Sequence, residues 1–271
     1  MRGIQMNFTN SRRRLVLPAL ALAALLAPAS PAATGDKIKA VATISIFGDL
    51  LRHVGGEHLD VKVLEPPGRD VHFYEPTPSD IVKISKADLF VHGGLDLELW
   101  RGPLIEASAN VKIFPGGPGD VAAVRGITLL DVPSGNVSRA QGDVHVSGNP
   151  HFWLDPENLA IIANTISERL AELDPANAAS YQQNLANFHA RLDAAIPRWK
   201  ARLAPFAGKP VAAYHNSWPY FARAFDLRID TFLEPKPNIP PSGAHLKKVE
   251  ALIGKEGIRA ILIEPFNHRA Y

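Results

Sequence analysis

Strand-like and helix-like runs alternate along most of this chain, and that rhythm constrains the fold more than any other feature. Short apolar, β-branched runs lie at residues 41–46, 61–64, 89–91, 111–114, 210–214, 228–233 and 259–263. Helix-like runs separate most of them, and this order is typical of parallel strands joined by right-handed crossovers. The sequence therefore predicts an α/β protein whose strands form parallel sheets.

A long amphipathic run divides the strand-like runs into a set of four and a set of three. Its large apolar residues recur at helical spacing and are Tyr181, Leu185, Phe188, Leu192, Ile196 and Trp199. A helix over residues 176–204 would measure about 40 Å at about 1.5 Å per residue. Pro197 lies inside it and is expected to bend or divide it. We therefore expect two α/β lobes, at residues 37–174 and 206–271, joined by one long helix at residues 175–205.

The first 32 residues have the pattern of an export signal. Three arginines at residues 12–14 precede a twelve-residue apolar run, and small residues follow it, among them Ala27 and Ala29. A run of that length is too short to cross a bilayer as a helix, which takes about 20 residues. The pattern predicts a signal peptide at residues 1–32, of the general secretory or the twin-arginine type. We expect a mature protein in the bacterial periplasm, without a lipid anchor because no cysteine follows the apolar run.

Charge and cysteine content narrow the classes of partner. Residues 1–32 hold four arginines and no acid, so the rest of the chain has 25 basic and 27 acidic residues. This slight excess of acid does not favour nucleic acid as a partner. The chain has no cysteine, which leaves histidine and carboxylate as its strong metal ligands. We expect a monomer whose partner is a metal ion.

Three histidines stand in separate patches that each end a strand or precede a helix. His72 lies in GRDVHFYEPTP, His151 in NPHFWLDP and His215 in AYHNSW. They are 79 and 64 residues apart, so only the tertiary fold can bring them together. Neutral imidazole is a common ligand of zinc and of similar divalent metals. Open α/β sheets hold ligands beyond the carboxyl ends of their strands. The patches therefore predict a shared metal site between the lobes.

The patches, in this order, resemble the ligand motifs of the ZnuA/TroA-like family, the zinc- and manganese-specific solute-binding proteins of ABC importers. The resemblance covers nearly all of residues 39–271 and rests on GRDVHFYEPTPSD, NPHFWLDP and YHNSWPYFAR. It implies that His72 and His151 bind the metal from the amino-terminal lobe and His215 from the carboxy-terminal lobe. It also implies that the protein delivers Zn²⁺, or alternatively Mn²⁺, to a membrane permease.

The fourth ligand departs from the family's pattern. Family members usually carry an aspartate one helix and one strand beyond the motif that IEPF resembles, and this chain ends at Tyr271 before that position. The resemblance thus predicts that the last strand and helix of the second lobe are missing. The fourth place is then expected to go to water, Glu264, His268 or His92. The carboxylates expected to complete or orient the site are Glu75, Asp155, Glu234 and Glu264.

Two other functions stay open on these patterns. A manganese receptor of the same family would use the same three histidines. An exported zinc hydrolase would hold zinc on them with an open fourth position and use Glu75 or Glu264 as general base. The sequence contains no H-E-x-x-H motif, so we expect a receptor rather than an enzyme. The polar, glycine-rich loop at residues 133–149 holds His145, which we expect to contact metal at most transiently.

Overall fold

Two parallel sheets organise the molecule. In residues 36–135, 145–236 and 239–267, which the computed structural model describes, seven strands form these sheets. The first sheet has the order β2-β1-β3-β4 and consists of β1 (Ile38–Ala42), β2 (Leu59–Val63), β3 (Leu89–His92) and β4 (Asp120–Ala122). The second has the order β6-β5-β7 and consists of β5 (Pro210–Ala213), β6 (Arg228–Phe232) and β7 (Ile261–Leu262).

Helices connect the strands and cover the sheets. They are α1 (Ser45–Gly55), α2 (Pro78–Ser85), α3 (Arg101–Ser108), α4 (Pro156–Leu173), α5 (Ala178–Leu203), α6 (Pro219–Phe225) and α7 (Gly243–Glu256). The helix α5 lies between the four-stranded and the three-stranded sheet in chain order. The predicted fold class, two parallel-sheet α/β lobes with one long helix, is therefore confirmed.

The first lobe has one buried cluster between its sheet and the helices α1, α4 and α5 and a second between the sheet and the helices α2 and α3. The strand β3 is buried along its whole length, as expected for a parallel strand covered on both faces. The helix α1 contributes Phe47 and Leu51, and α4 contributes Ile162 and Ile166, all fully buried. Each such side chain stabilises the fold by roughly 1.5–3 kcal/mol relative to exposure. The core of the second lobe is smaller and consists of Ala212, Tyr214, Leu233, Val249 and Ile258.

Two elements of the first lobe differ from the prediction. The strand expected at residues 111–114 is wrong, because that run forms the 3-10 turn Val111–Ile113 and the fourth strand is β4. Asn110 stabilises the turn by accepting a hydrogen bond from the backbone N–H of Lys112. The run at residues 96–109 has the spacing of a helix, but α3 begins only at Arg101, because the backbone of Asp96 is left-handed, with φ of 57°. The pattern of apolar residues along the chain predicts neither the capped turn nor the left-handed residue.

The long helix α5 continues through Pro197 to Leu203 and is not divided, which leaves a bend as the expected effect of Pro197. Its 26 residues correspond to about 39 Å. Tyr181 of α5 is fully buried and donates a hydrogen bond from its hydroxyl to Asp174 at 2.7 Å. Asn184 donates to the backbone carbonyl of Val54 at the end of α1. The helix is therefore attached to the first lobe along its amino-terminal half.

Some predictions fall outside the described residues. The signal peptide at residues 1–32 and His268 lie there, as do residues 136–144 of the predicted surface loop. None of the helices in the described ranges combines the length and the apolarity that a bilayer crossing requires.

We predict that metal binding changes the radius of gyration by no more than the experimental error. An uninterrupted helix resists bending, because a bend breaks backbone hydrogen bonds along it. Small-angle X-ray scattering of the protein with and without zinc measures this directly. A clear compaction would contradict a stiff connection. If the compaction disappeared in Pro197→Ala, Pro197 would be identified as the hinge.

Candidate metal centre

The three histidines singled out in the sequence lie together. His72, His151 and His215 each offer one ring nitrogen, and these three atoms are within 4.8 Å of one another. Nε2 of His72 is 3.2 Å from Nε2 of His151. Two nitrogen ligands of a tetrahedral zinc ion are about 3.3 Å apart when each Zn–N distance is about 2.0–2.1 Å. The spacing of these two rings is therefore suitable for a single tetrahedral ion.

A tight turn positions His72. The residue lies in the 3-10 turn Val71–Phe73, after β2, and its backbone N–H donates to Asp70 Oδ1 at 3.0 Å. Trp100 holds the same turn from the other side, since its indole Nε1–H donates to the carbonyl of Val71 at 2.8 Å. The turn is thus capped by Asp70 and held by Trp100, which limits how far the His72 backbone can move.

Asn149 orients His151. The Oδ1 atom of Asn149 accepts a hydrogen bond from the His151 backbone N–H at 3.0 Å and lies 3.0 Å from His151 Nδ1. The His151 ring is buried and packs against the ring of Trp153, with 5.4 Å between the centroids. Because Nδ1 faces Asn149, the opposite nitrogen, Nε2, faces His72.

Glu234 orients His215, which follows β5 in the second lobe. Nδ1 of His215 is 2.8 Å from Glu234 Oε2. A carboxylate at one imidazole nitrogen fixes the ring and leaves the other nitrogen for an ion. Glu234 is one of the acids that the sequence predicts to orient the site, and the structure places its carboxylate against the ring of His215.

The pKa values of the three rings move in different directions. Burial, together with the positive charges of His145 and His215 when they are protonated, lowers the pKa of His72 to about 3. Burial also lowers the pKa of His151 well below its usual range. Burial alone would lower the pKa of His215, but the hydrogen bond and negative charge of Glu234 outweigh it and raise that pKa. At neutral pH the first two rings are therefore neutral and present lone pairs.

Acidic side chains surround the histidines. A cavity of about 360 Å³, lined by residues of both lobes, contains the three rings and the carboxyl groups of Glu65, Asp70, Glu234 and Glu264. Burial, followed by the negative charges of Asp70 and Glu98, raises the pKa of Glu65 to about 8. The sequence patterns did not single out Glu65, although its position just after β2 is a usable signal for a ligand site.

Glu264 is the fourth-ligand candidate that lines this cavity. Its Oε1 accepts a hydrogen bond from the Ser217 hydroxyl at 2.5 Å. Its Oε2 is buried and has no hydrogen-bond partner among the described residues. Burial raises the pKa of Glu264 despite the Ser217 hydrogen bond. A buried oxygen without a partner carries a cost that a bound cation would remove.

Of the other candidates, His92, Glu75 and Asp155 are not among the described residues that line this cavity, and His268 lies outside the described residues. His92 is buried at the end of β3, with its Nε2 3.1 Å from Asp120 Oδ1. Glu75 is exposed. Asp155 caps α4 and accepts a hydrogen bond from Arg223 of α6 at 3.0 Å. A position near a motif does not determine where a side chain points.

His145 lies nearer the histidine cluster than its loop position indicated. Its ring centroid is 5.0 Å from that of His72, compared with 5.2 Å between the rings of His72 and His151. It is outside the group of three whose ligand atoms lie within 4.8 Å of one another. The cluster itself, two neutral rings and one ring paired with a carboxylate, suits a borderline-soft dication.

This chain is similar to a family profile and to several known proteins. A family profile described as "Zinc-uptake complex component A periplasmic" matches residues 40–270. The manganese ABC transporter substrate-binding lipoprotein PsaA of Streptococcus mitis is 30% identical over 219 residues, which cover 79% of this chain and 67% of that protein. The iron-binding protein YfeA of Yersinia pestis is 30% identical over 214 residues, 78% and 64% of the two chains. A crystal structure of ZnuA superposes with a TM-score of 0.68 at 27% identity, covering 86% of this chain and 93% of that one.

We predict that His72 and His151 do not titrate between about pH 5 and 8, the range in which an ordinary histidine does. His215 is expected to titrate above its usual value, because Glu234 stabilises its charged form. NMR of the ring protons in chelator-treated protein measures the three midpoints. Glu234→Gln should lower the His215 midpoint and leave the other two in place. An ordinary midpoint for His72 would contradict the burial argument.

We also predict that Glu65→Gln raises the melting temperature at pH 8 but not near pH 5. Folding raises the pKa of Glu65 from 4.5 to about 8. The protonated carboxyl therefore stabilises the folded state fully only at pH values below 4.5. That stability is lost as pH rises towards the upper value, and glutamine mimics the protonated acid at any pH. We expect an increase of at least about 2 °C at pH 8, which corresponds to ~1 kcal/mol for a domain of this size.

Differential scanning calorimetry of metal-free protein tests the effect of Glu65→Gln. Glu106→Gln, on the exposed face of α3, is the matched control and should show no pH-dependent difference. An equal increase at both pH values would mean that the Glu65 carboxyl is not protonated in the folded state.

Proposed function

Because this chain belongs to the ZnuA family of periplasmic zinc-uptake components, we propose that it binds Zn²⁺ on His72, His151 and His215 and delivers the ion to the permease of an ABC importer. The relatives named as substrate-binding proteins of metal transporters support the receptor function. The cargo ion is the substrate of this protein, and no reaction is assigned to it. The protein is proposed to act in the periplasm after export.

The observation that carries the proposal is the convergence of three imidazole nitrogens, two of them on rings that burial keeps neutral. A neutral imidazole offers a lone pair without having to lose a proton first. Zinc favours nitrogen ligands in tetrahedral geometry, whereas manganese favours oxygen ligands in octahedral geometry. The nitrogen-rich set therefore favours zinc, although relatives are named for manganese and iron.

Glu264 is the proposed fourth ligand. It lines the cavity that contains the three rings, and its Oε2 lacks a hydrogen-bond partner among the described residues. With Glu264 bound, the carboxylate of Glu264 and that of Glu234 balance the two charges of the ion. Since Glu264 is outside the group within 4.8 Å, it would reach the ion by a small movement of the loop after β7.

Metal titration tests the proposal. Metal-free protein should bind one Zn²⁺ ion tightly, and each of His72→Ala, His151→Ala and His215→Ala should bind it at least tenfold more weakly, which is about 1.4 kcal/mol. His53→Ala, which removes an exposed imidazole paired with Arg191, is the control and should bind zinc like the parent. Parent-like binding in all three site variants would place the metal elsewhere.

Competition experiments test the choice of metal. Protein purified without added metal should contain zinc by mass spectrometry, and excess Mn²⁺ should not displace Zn²⁺. Displacement by manganese would favour a manganese receptor built on the same residues. Glu264→Gln should weaken zinc binding less than any of the three histidine variants does, because it removes one charge but leaves the three nitrogen ligands.

A further inference from the structure

The side chain of Asn149 forms hydrogen bonds with residues of both lobes. Its Oδ1 faces the backbone N–H and the ring Nδ1 of His151. Its Nδ2 donates hydrogen bonds to the backbone carbonyl of Asn216 at 2.8 Å and to Asp131 Oδ2 at 3.3 Å. Asn216 directly follows His215 in the chain. One amide thus connects the ring of one histidine with the backbone next to another.

The hydrogen-bond partners determine which way this amide points. The backbone carbonyl of Asn216 can only accept, so Nδ2 of Asn149 must face it and Oδ1 must face His151. Since Oδ1 can only accept, Nδ1 of His151 carries the ring proton and Nε2 presents a lone pair to the cluster. A flipped amide would place two oxygens against each other at Asn216. The tautomer of His151 therefore follows from a contact with the second lobe.

The backbone of Asn149 is held equally firmly. Its N–H donates to the carbonyl of Leu130 at 2.8 Å, and its carbonyl accepts from the Tyr220 hydroxyl at 3.0 Å. Tyr220 belongs to α6 of the second lobe and is fully buried. Asn149 itself is only 7% exposed, so water is poorly placed to replace any hydrogen bond that a substitution removes.

We propose that Asn149 is a positioning residue that holds His151 in its metal-binding tautomer and ties that ring to the second lobe at Asn216. It thereby sets both the affinity for metal and the rate of metal release. This inference rests on the proposed function, because it concerns the same three-histidine site. Loss of the hydrogen-bond partner of a metal-binding histidine typically lowers metal affinity by about 10–100-fold.

Two substitutions separate the two parts of the proposal. Asn149→Ala removes both the acceptor for His151 and the donor to Asn216, so zinc affinity should fall at least tenfold and His151 should populate both tautomers. Asn149→Asp keeps the acceptor and should keep the Nδ1–H tautomer. Its second oxygen cannot donate to the Asn216 carbonyl, so zinc release should be faster than in the parent. If Asn149→Ala does not fold, the isosteric Asn149→Asp still tests the bridge.

Three measurements on the full chain provide the readout. Competition with a chromophoric chelator gives the zinc affinity, stopped-flow mixing with excess chelator gives the release rate, and ¹⁵N NMR of the imidazoles gives the tautomer of His151. Asn110→Ala is the matched control, because Asn110 also donates to two backbone carbonyls, those of Ile84 and Ala87, but away from the site. It should bind zinc like the parent despite its effect on stability.

The outcomes are distinct. Parent-like affinity and tautomer in Asn149→Ala would show that Asn149 does not position His151. A parent-like release rate in Asn149→Asp would show that the bridge to Asn216 does not control release. If the parent itself binds no zinc, the proposed function fails, and the tautomer of His151 in the metal-free parent and in Asn149→Ala still tests the positioning role.

Discussion

Burial of three imidazoles at one point is the constraint on which the rest of the site depends. An imidazole removed from water holds its proton weakly, and neighbouring rings cannot all carry charge. The structure separates the three by giving only His215 a carboxylate partner, Glu234. His72 and His151 have no such partner in the described contacts of their rings, and burial lowers the pKa of both. The cluster therefore combines two neutral lone pairs with one ring whose charge a carboxylate balances.

The parallel sheets explain how distant residues reach this point. Parallel strands present their carboxyl ends at one edge, and loops from that edge converge on the cleft. His72 follows β2 and His215 follows β5, so one histidine comes from each sheet. His151 comes from the segment before α4, where polar contacts cross between the lobes. Asn149 reaches Asn216, and Asp155 reaches Arg223. The geometry of the histidine cluster and the spacing of the two lobes therefore depend on the same segment.

The acids around the cavity suit a cation as cargo but do not select one by themselves. Relatives with about the same identity to this chain are named for manganese and for iron, so the fold alone does not choose the metal. The choice depends on the ratio of nitrogen to oxygen ligands at the ion. In this chain the proposed nitrogen ligands belong to rings that hydrogen bonds hold in place, whereas burial raises the pKa values of the carboxyl groups of Glu65 and Glu264.

Much of the fold and the three histidines could be predicted from local sequence, because alternation of apolar runs and the spacing of α5 depend on neighbouring residues. The strand predicted at residues 111–114 does not form, because the capping side chain of Asn110, rather than β propensity, determines the turn there. Motifs located the histidines, but they contain no information on distances between residues far apart in the chain. Glu65 acquires its proton affinity from burial beside Asp70 and Glu98. Asn149 acquires its role from a hydrogen bond across 67 residues, and only the folded chain forms that contact.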